Sequence, residues 1–480
     1  MKILFTHSYF LQFDPKQVAH AQPYPPLGTI LAAALLREKG YAVKLFDTMF
    51  CQNPEEILPI LEEYKPDVLV LYDDGFNYLT KMCLSNMRDA AFVMQNLAKK
   101  HGCKVIVTSS DATDHYEKYL AKKADFVITG EAEYSLLELV NAISAKQSDF
   151  SSVNGIVFTS GNEIVKTPKR SLSKNLDELP LPAWDLVNFE PYKKIWLQKH
   201  GYYSVNIATT RGCPYKCNWC AKPMYGNTYN MRSPANVIEE IKLLNKTVEF
   251  SHIWFCDDIF GLKRSWVTEF SQLVKKESLT FKYKIQSRAD LLVQEKYVED
   301  LASSGCDDVW MGAESGSQKI LDAMDKGTTV EEIRQARKLL KQQGIKASFF
   351  LQYGYPGETA HDINMTLRLV EENMPDDIGI SVSYPLPGTG FYEKVKLELK
   401  EKTNWTDSDE LALMFKNTYS SSYYKTLHRY THSMFRKRRA EINWQSHSGF
   451  AIKVRALASY FRYSFSGYLQ SLRLKRQSAK

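Results

Sequence analysis

The sequence predicts an α/β protein in three parts: a Rossmann-like doubly wound parallel sheet, a partial barrel of six strand–helix units, and a basic helical C-terminal tail. Three observations predict it. Short apolar runs alternate with amphipathic helical runs through the first 145 residues, the pattern of a parallel sheet covered on both faces. The same rhythm resumes from about residue 203 to 385. Beyond 395 it stops, and aromatic residues mixed with Lys and Arg take over.

The N-terminal elements follow in order. Residues 1–6, 42–48, 67–74, 104–110 and 124–130 read as strands, and the run DVLVLYDD is apolar enough to be buried on both faces. Between them, residues 29–40, 54–66, 87–103 and 130–143 carry helical periodicity, and Gly40 closes the first helix. Ligands of such sheets lie beyond the carboxyl ends of the strands. Residues 151–170 read as a small hairpin turning at Ser160-Gly161-Asn162, and prolines forbid one continuous helix over 176–194. In the second region the strands are 203–210, 252–258, 282–288, 308–314, 347–354 and 378–387, with helices such as 233–245 and 328–344 between them. The expected division is 1–148, a linker at 149–196, the barrel at 197–395 and the tail at 396–480.

Composition narrows the class. Of 480 residues, 44% are hydrophobic and 24% charged, so a sizeable core can form. Eight scattered cysteines are too few for a disulfide framework. No signal pattern opens the chain and no apolar run reaches the roughly 18 residues that span a bilayer. A cytoplasmic enzyme is expected. The net charge of +7 is uneven: from 425 to 480 there are 13 Lys/Arg and one acid, Glu441, so the tail carries +12 and the rest −5. Its aromatics, Phe450, Tyr460, Phe461, Tyr463, Phe465 and Tyr468, suit a peripheral contact with an anionic membrane or an ordinary amphipathic helix; nucleic acid is not the expected partner.

The chemistry concentrates in TTRGCPYKCNWCAKPMYG, residues 209–226. Cys213, Cys217 and Cys220 form a C-x3-C-x2-C triplet with no fourth thiol or imidazole nearby; the next are His252 and Cys256. A structural zinc site needs four ligands. A [4Fe–4S] cluster held by three thiolates keeps one iron open. The candidate strand ends carry further polar groups: Asp257 and Asp258, Arg288, Glu314, Gly354 to Glu358, and Ser383. Functional groups of barrels gather at that end.

This triplet, with MGAESGS (311–317), YGYPGET (353–359) and SYPLPGTGFYE (383–393), resembles the radical S-adenosylmethionine superfamily. The resemblance implies an open iron that chelates the amino and carboxylate groups of S-adenosylmethionine. One electron then cleaves the sulfonium to a 5′-deoxyadenosyl radical, with flavodoxin or ferredoxin as the kind of donor. It implies that Cys213, Cys217 and Cys220 are cluster ligands and that Glu314 binds the cofactor amino group. It places Arg288, Asp257, Ser383 and Gly354 at the cofactor, and Tyr215 and Trp219 beside the cluster. YPPLG (24–28), Asp47 and DFVITGEAEYSLLEL (125–139) resemble the cobalamin-binding domain that precedes many such barrels. No D-x-H-x-x-G motif supplies a lower-axial histidine, and Ser109, Ser110 and Asp111 stand where relatives carry a Gly pair close to the corrin. Residues 404–439 resemble the helical tail of the anaerobic magnesium-protoporphyrin monomethyl ester cyclase group. The implied reaction is methylation or cyclisation at an unactivated carbon of a metabolite, lipid or tetrapyrrole. Two alternatives stand beside it. A tRNA methylthiotransferase type would use Cys51, Cys83 and Cys103 for a second cluster, and a zinc-stabilised binding protein would hold one zinc and no iron.

Overall fold

The computed structural model describes residues 1–480 except 223, 400–403, 447–448 and 479–480. The expected C-terminal region therefore includes 400–403, 447–448 and 479–480, which lie outside the described residues. Two compact units emerge. The first is Met1–Pro214 with Ala221–Lys284 and Asn404–Glu410; the second is Tyr215–Cys220, Ile285–Thr403 and Leu411–Lys480.

In the first unit, strands β1 (Lys2–Thr6), β2 (Ala42–Phe46), β3 (Val68–Tyr72), β4 (Lys104–Thr108) and β5 (Phe126–Ile128) pair in parallel in the order β2-β1-β3-β4-β5. The alternation of side chains sorts them onto two cores. Ile3, Phe5, Val68 and Val70 face one core with Ala33 and Leu36 of helix Leu27–Glu38 and Leu136 and Leu139 of helix Glu133–Ser144. Leu4, Leu69 and Leu71 face the other with Ala91, Met94 and Ala98 of helix Ser85–Lys100. Such two-sided burial is why β3 reads as an unbroken apolar run, and it confirms the doubly wound class.

The hairpin of the expected linker joins this sheet. Strands β6 (Ile156–Ser160) and β7 (Glu163–Lys166) turn at Gly161-Asn162, with Gly161 at φ 59°. β6 pairs antiparallel with β5, so the sheet is seven-stranded and mixed rather than wholly parallel. The Pro-rich stretch beyond forms two short 3₁₀ turns and then helix Glu190–His200, with Pro191 in its first turn where a missing N–H costs nothing.

Strands β8 (Ser204–Ile207), β11 (His252–Phe255), β12 (Lys282–Ser287), β13 (Cys306–Glu314), β14 (Lys346–Tyr353) and β15 (Ile378–Val382) form an open six-stranded sheet in the order β15-β14-β13-β12-β11-β8. Its β8–β11, β11–β12, β13–β14 and β14–β15 pairings are parallel. All six expected strands are present. The short β9 (Thr210–Arg211) and β10 (Asn230–Met231) pair antiparallel. In the second unit, helices Ser421–Ser446 and Phe450–Ser478 pack against one another. Ser433 meets Ser466 Oγ to Oγ at 3.0 Å, and the Lys437 ammonium lies over the Tyr460 ring, so the two run antiparallel. No helix among the described residues is long and apolar enough to cross a membrane.

The turn after β13 packs on helix Ala360–Asn373 so closely that a Cβ on Gly316 would sit within 3.0 Å of Met365 and Thr366 backbone atoms. The Gly316 N–H donates to Thr366 Oγ1 at 2.9 Å, which leaves the turn no room to slide. Gly316→Ala should lower stability by about 3 kcal/mol in urea unfolding, the cost of overpacking against backbone that cannot rotate away. An unchanged midpoint would show that the turn and helix yield.

Candidate active site

The loop that carries the cysteines leaves β8 under tight restraint. Asp257, just past β11, accepts the Thr209 N–H at 2.7 Å, the Thr210 N–H at 2.8 Å and the Thr209 hydroxyl at 2.5 Å. Burial raises its carboxyl to about 6, against the pull of these donors. Its neighbour Asp258 instead meets the Lys81 ammonium at 2.6 Å. Gly212 follows at φ 79°, and a Cβ there would fall 2.5 Å from the Thr228 carbonyl, so only glycine passes.

Between them stands Arg211, buried at 3% exposure. It pairs with Glu131, and its Nη2 donates to Glu133 Oε1 at 2.7 Å. Its guanidinium also lies 5.2 Å from the Tyr225 ring centroid and 5.9 Å from that of Phe76. Glu131 and Glu133 belong to the GEAEY segment after β5. Two carboxylates around one planar fork satisfy a buried cation that burial alone would penalise.

The second unit holds the rest of the loop, Tyr215 to Cys220. Arg288, at the end of β12, stacks on the Tyr215 ring with its guanidinium carbon 3.6 Å from the centroid. Its Nη1 lies 3.8 Å from Cys217 Sγ, its Nε donates to Asp290 at 3.0 Å and its Nη2 to the Lys326 carbonyl at 2.8 Å. Asn218 is pinned from several sides. Its N–H donates to the Met324 carbonyl at 3.0 Å, its amide to the Ala323 carbonyl at 2.7 Å and to Asp325 at 2.8 Å, and it accepts the Tyr355 hydroxyl at 2.9 Å. The Trp219 indole N–H is buried with no hydrogen-bond partner among the described residues.

Glu314 ends β13 at φ 56°, an uncommon conformation for a non-glycine residue. The β13–β14 register shifts between Gly312 and Glu314, a bulge of the kind that re-aims a side chain. The carboxylate meets the Lys326 ammonium at 2.8 Å, both groups buried. Burial pulls the Lys326 ammonium down and Glu314 outweighs it, so the net shift is upward and the lysine keeps its charge. A Cβ on Gly312 would fall 2.5 Å from that Nζ and 2.7 Å from Glu314 Oε1. Strain held in place by an ion pair points to a site built for use.

The other expected residues divide. Gly354, at φ 78°, follows β14; its N–H donates to Glu358 at 2.7 Å and its carbonyl accepts the Asn417 amide at 2.5 Å. Ser383 accepts the Gln352 amide at 2.9 Å, while Gln352 Oε1 is buried with no partner among the described residues. In the first unit, Ser109 caps helix Ser110–Asp114 by accepting the Ala112 N–H at 2.8 Å, and the buried Ser110 hydroxyl has no partner among the described residues. Asp111 is held by Arg88 at 2.5 Å and by the Tyr119 hydroxyl at 2.7 Å. His7 is tied by its Nε2 to Asp47 at 2.9 Å. Of the cysteines, Cys213 is buried and Cys217 and Cys220 are half-buried. Among the described residues no three His, Cys, Asp or Glu side chains converge on one metal-holding centre.

The donor set nevertheless fits an iron–sulfur cluster. Thiolates and sulfides make such a centre anionic, and the buried Arg288 and Lys326 stand beside Cys217 as its counter-charges. Sequence reading missed Lys326, Asn218, Asp290 and the Arg211 pair. Lys326 lies 12 residues past Glu314 in ordinary helix-end sequence, and only the chain's return brings the two together.

Two tests follow from these buried charges. Lys326→Met strands the Glu314 carboxylate and should cost roughly 3–5 kcal/mol in unfolding. The exposed Lys319, paired with Asp362 at 3.2 Å, should cost less than about 1 kcal/mol when changed to Met. Equal costs would mean that Glu314 is solvated. Glu358 is raised to about 8, by burial first, and its Oε1 has no partner among the described residues. The folded protein thus binds this proton more tightly than the unfolded chain, where Glu ionises near 4.3. Stability should be full below about pH 4 and decline as pH rises toward 8, and Glu358→Gln should flatten that decline in unfolding series across pH.

Comparison with known proteins agrees with this geometry. Residues 207–370 match the family model of the radical SAM superfamily. An uncharacterized methyltransferase of Pyrococcus horikoshii is 28% identical over 375 residues, 77% of this chain and 78% of that one. The anaerobic magnesium-protoporphyrin IX monomethyl ester cyclase of Rubrivivax gelatinosus is 26% identical over 82% of this chain and 70% of its own length. The cobalamin-dependent S-adenosylmethionine radical enzyme OxsB, solved with aqua-cobalamin bound, superposes with a TM-score of 0.74 at 17% identity, covering 98% of this chain and 72% of OxsB. With its cysteine triplet near the head of the matched segment, the chain carries a radical SAM domain over residues 207–370.

Proposed function

We propose that this enzyme cleaves S-adenosylmethionine reductively at a [4Fe–4S] cluster held by Cys213, Cys217 and Cys220, and uses the 5′-deoxyadenosyl radical to methylate or cyclise an unactivated carbon of a small-molecule substrate. The observation that carries this reading is the strained, buried Glu314 facing Lys326, with Arg288 against Cys217. The cluster, when bound, supplies one electron to the sulfonium. Glu314 is suited to take the cofactor ammonium, because the ammonium of Lys326 already stands at that carboxylate as its stand-in. Arg288 and Lys326 offset the negative charge of the thiolates and of the cofactor carboxylate. Tyr215, stacked against Arg288, and Trp219, whose indole N–H has no partner among the described residues, shield the loop from water. Gly354 and Ser383 lie at ends of β14 and β15, where backbone and hydroxyl can meet the nucleoside. Asp257, its oxygens spent on Thr209 and Thr210, shapes the loop. An electron donor such as flavodoxin or ferredoxin reduces the centre, and the basic tail gives the enzyme a peripheral membrane contact.

The N-terminal domain is read as a cobalamin site for methyl transfer. Support comes from the relatives and from the end of β4, where the small Ser109 and the unpartnered Ser110 hydroxyl stand. Met224 and Tyr225 pack near Gly75, past the end of β3. Asp73 fastens the loop after β1 through Ser8, and Asp74 accepts the Leu27 and Gly28 N–H groups of helix Leu27–Glu38. His7 is committed to Asp47.

Cys213→Ala, Cys217→Ala and Cys220→Ala should each lose the cluster absorbance and 5′-deoxyadenosine release, while Cys256→Ala and Cys306→Ala retain both. In the same assay Glu314→Gln should keep the cluster but weaken S-adenosylmethionine binding by roughly 10- to 100-fold, the loss of one charge-assisted hydrogen bond. Full iron and cleavage in any triplet variant would overturn the cluster assignment. His7→Ala should leave the spectrum of added corrin unchanged; failure to retain any corrin anaerobically would remove cobalamin from the reading.

A further inference from the structure

We infer that helix Phe450–Ser478 is an in-plane anchor for anionic lipid, lying on the membrane surface rather than crossing it. Phe450, Val454, Leu457, Phe461, Phe465, Tyr468 and Leu472 recur at steps of three and four residues, so they line one face of the helix. That stripe is about 33 Å long at 1.5 Å per residue. It is not a packed face: Phe450 is 84% exposed, Phe461 63%, Phe465 67% and Tyr468 62%. The opposite side carries the contacts with helix Ser421–Ser446, through Ala456, Tyr460, Tyr463 and Ser466. An exposed apolar stripe of this length on a soluble chain marks a contact surface.

Charge chooses the occupant. The helix holds six cations, Lys453, Arg455, Arg462, Arg473, Lys475 and Arg476, and no acid. At 100° per residue, Lys453 falls on one flank of the stripe, Arg455, Arg462, Arg473 and Arg476 on the other, and Lys475 in line with the stripe just past its C-terminal end. Lys and Arg stems can then cover acyl chains while their heads meet anionic headgroups. A second copy of the helix would bring like-charged flanks together across the stripe, which repels. Nucleic acid would use the cations and leave the apolar side groups wet. The inference is independent of the radical chemistry and extends the peripheral contact read for the tail.

The test is flotation of the full chain with phosphatidylcholine vesicles, with and without phosphatidylglycerol. Binding should require phosphatidylglycerol and weaken with added salt. Phe461→Ser combined with Phe465→Ser should weaken it at least about tenfold, since apolar insertion is lost with the charge unchanged. Arg455→Gln, Arg462→Gln and Arg473→Gln together should weaken it roughly a hundredfold. Both variants alter exposed positions and should keep their helical circular dichroism and iron content. Three results would overturn the inference: no flotation with anionic vesicles, a phenylalanine variant that binds like the parent, or an oligomer that dissociates on the phenylalanine change. Retention of RNA in place of lipid would overturn it equally.

Discussion

The buried guanidinium of Arg211 is the constraint on which the cysteine loop depends. It stands two residues before Cys213 and is held by Glu131 and Glu133, far away in sequence. An ion pair taken out of water repays its desolvation only when every donor is used and the geometry is rigid. Here the fork is shared between two carboxylates and covered by Phe76 and Tyr225, so the backbone at 211 has one position available. Asp257 does the same for Thr209 and Thr210, and the antiparallel pairing of β9 with β10 closes the neck of the loop. The first thiol is thus delivered by a frame anchored in the N-terminal sheet.

Beyond Pro214 the loop enters the second unit, and its restraint changes in kind. Asn218 uses backbone and side chain alike to hold the segment 323–325, and Arg288 lies flat on Tyr215. These contacts fix the loop's course. The positive charges near Cys217 precede any ligand: Arg288 and Lys326 are buried cations held by Asp290 and Glu314. A preorganised field of this sort costs no reorganisation at the moment of reaction. The strained Glu314 belongs to the same design, because the bulge that strains it also aims it at Lys326.

Much of this was legible in the residues. Apolar alternation named both sheets and placed all six barrel strands, since burial on two faces demands unbroken apolar runs such as VLVLY. The β6–β7 hairpin was visible at its Gly161 turn, but not its addition to the sheet edge, because strand pairing depends on a partner that local sequence does not name. Asp111 was legible only as a neighbour of two serines; its ion pair with Arg88 needs helix Ser85–Lys100 to lie across β4.

The sequence by itself determined the fold class, the strand–helix order and the thiol triplet, because periodicity and spacing are local and follow from chain geometry. Tertiary structure alone decided which charges meet. Lys326 with Glu314, Arg211 with Glu131 and Glu133, and Arg288 with Cys217 are pairs whose partners come from different turns of the chain. Electrostatic partnership depends on distance and burial in space, and neither is written in the order of residues.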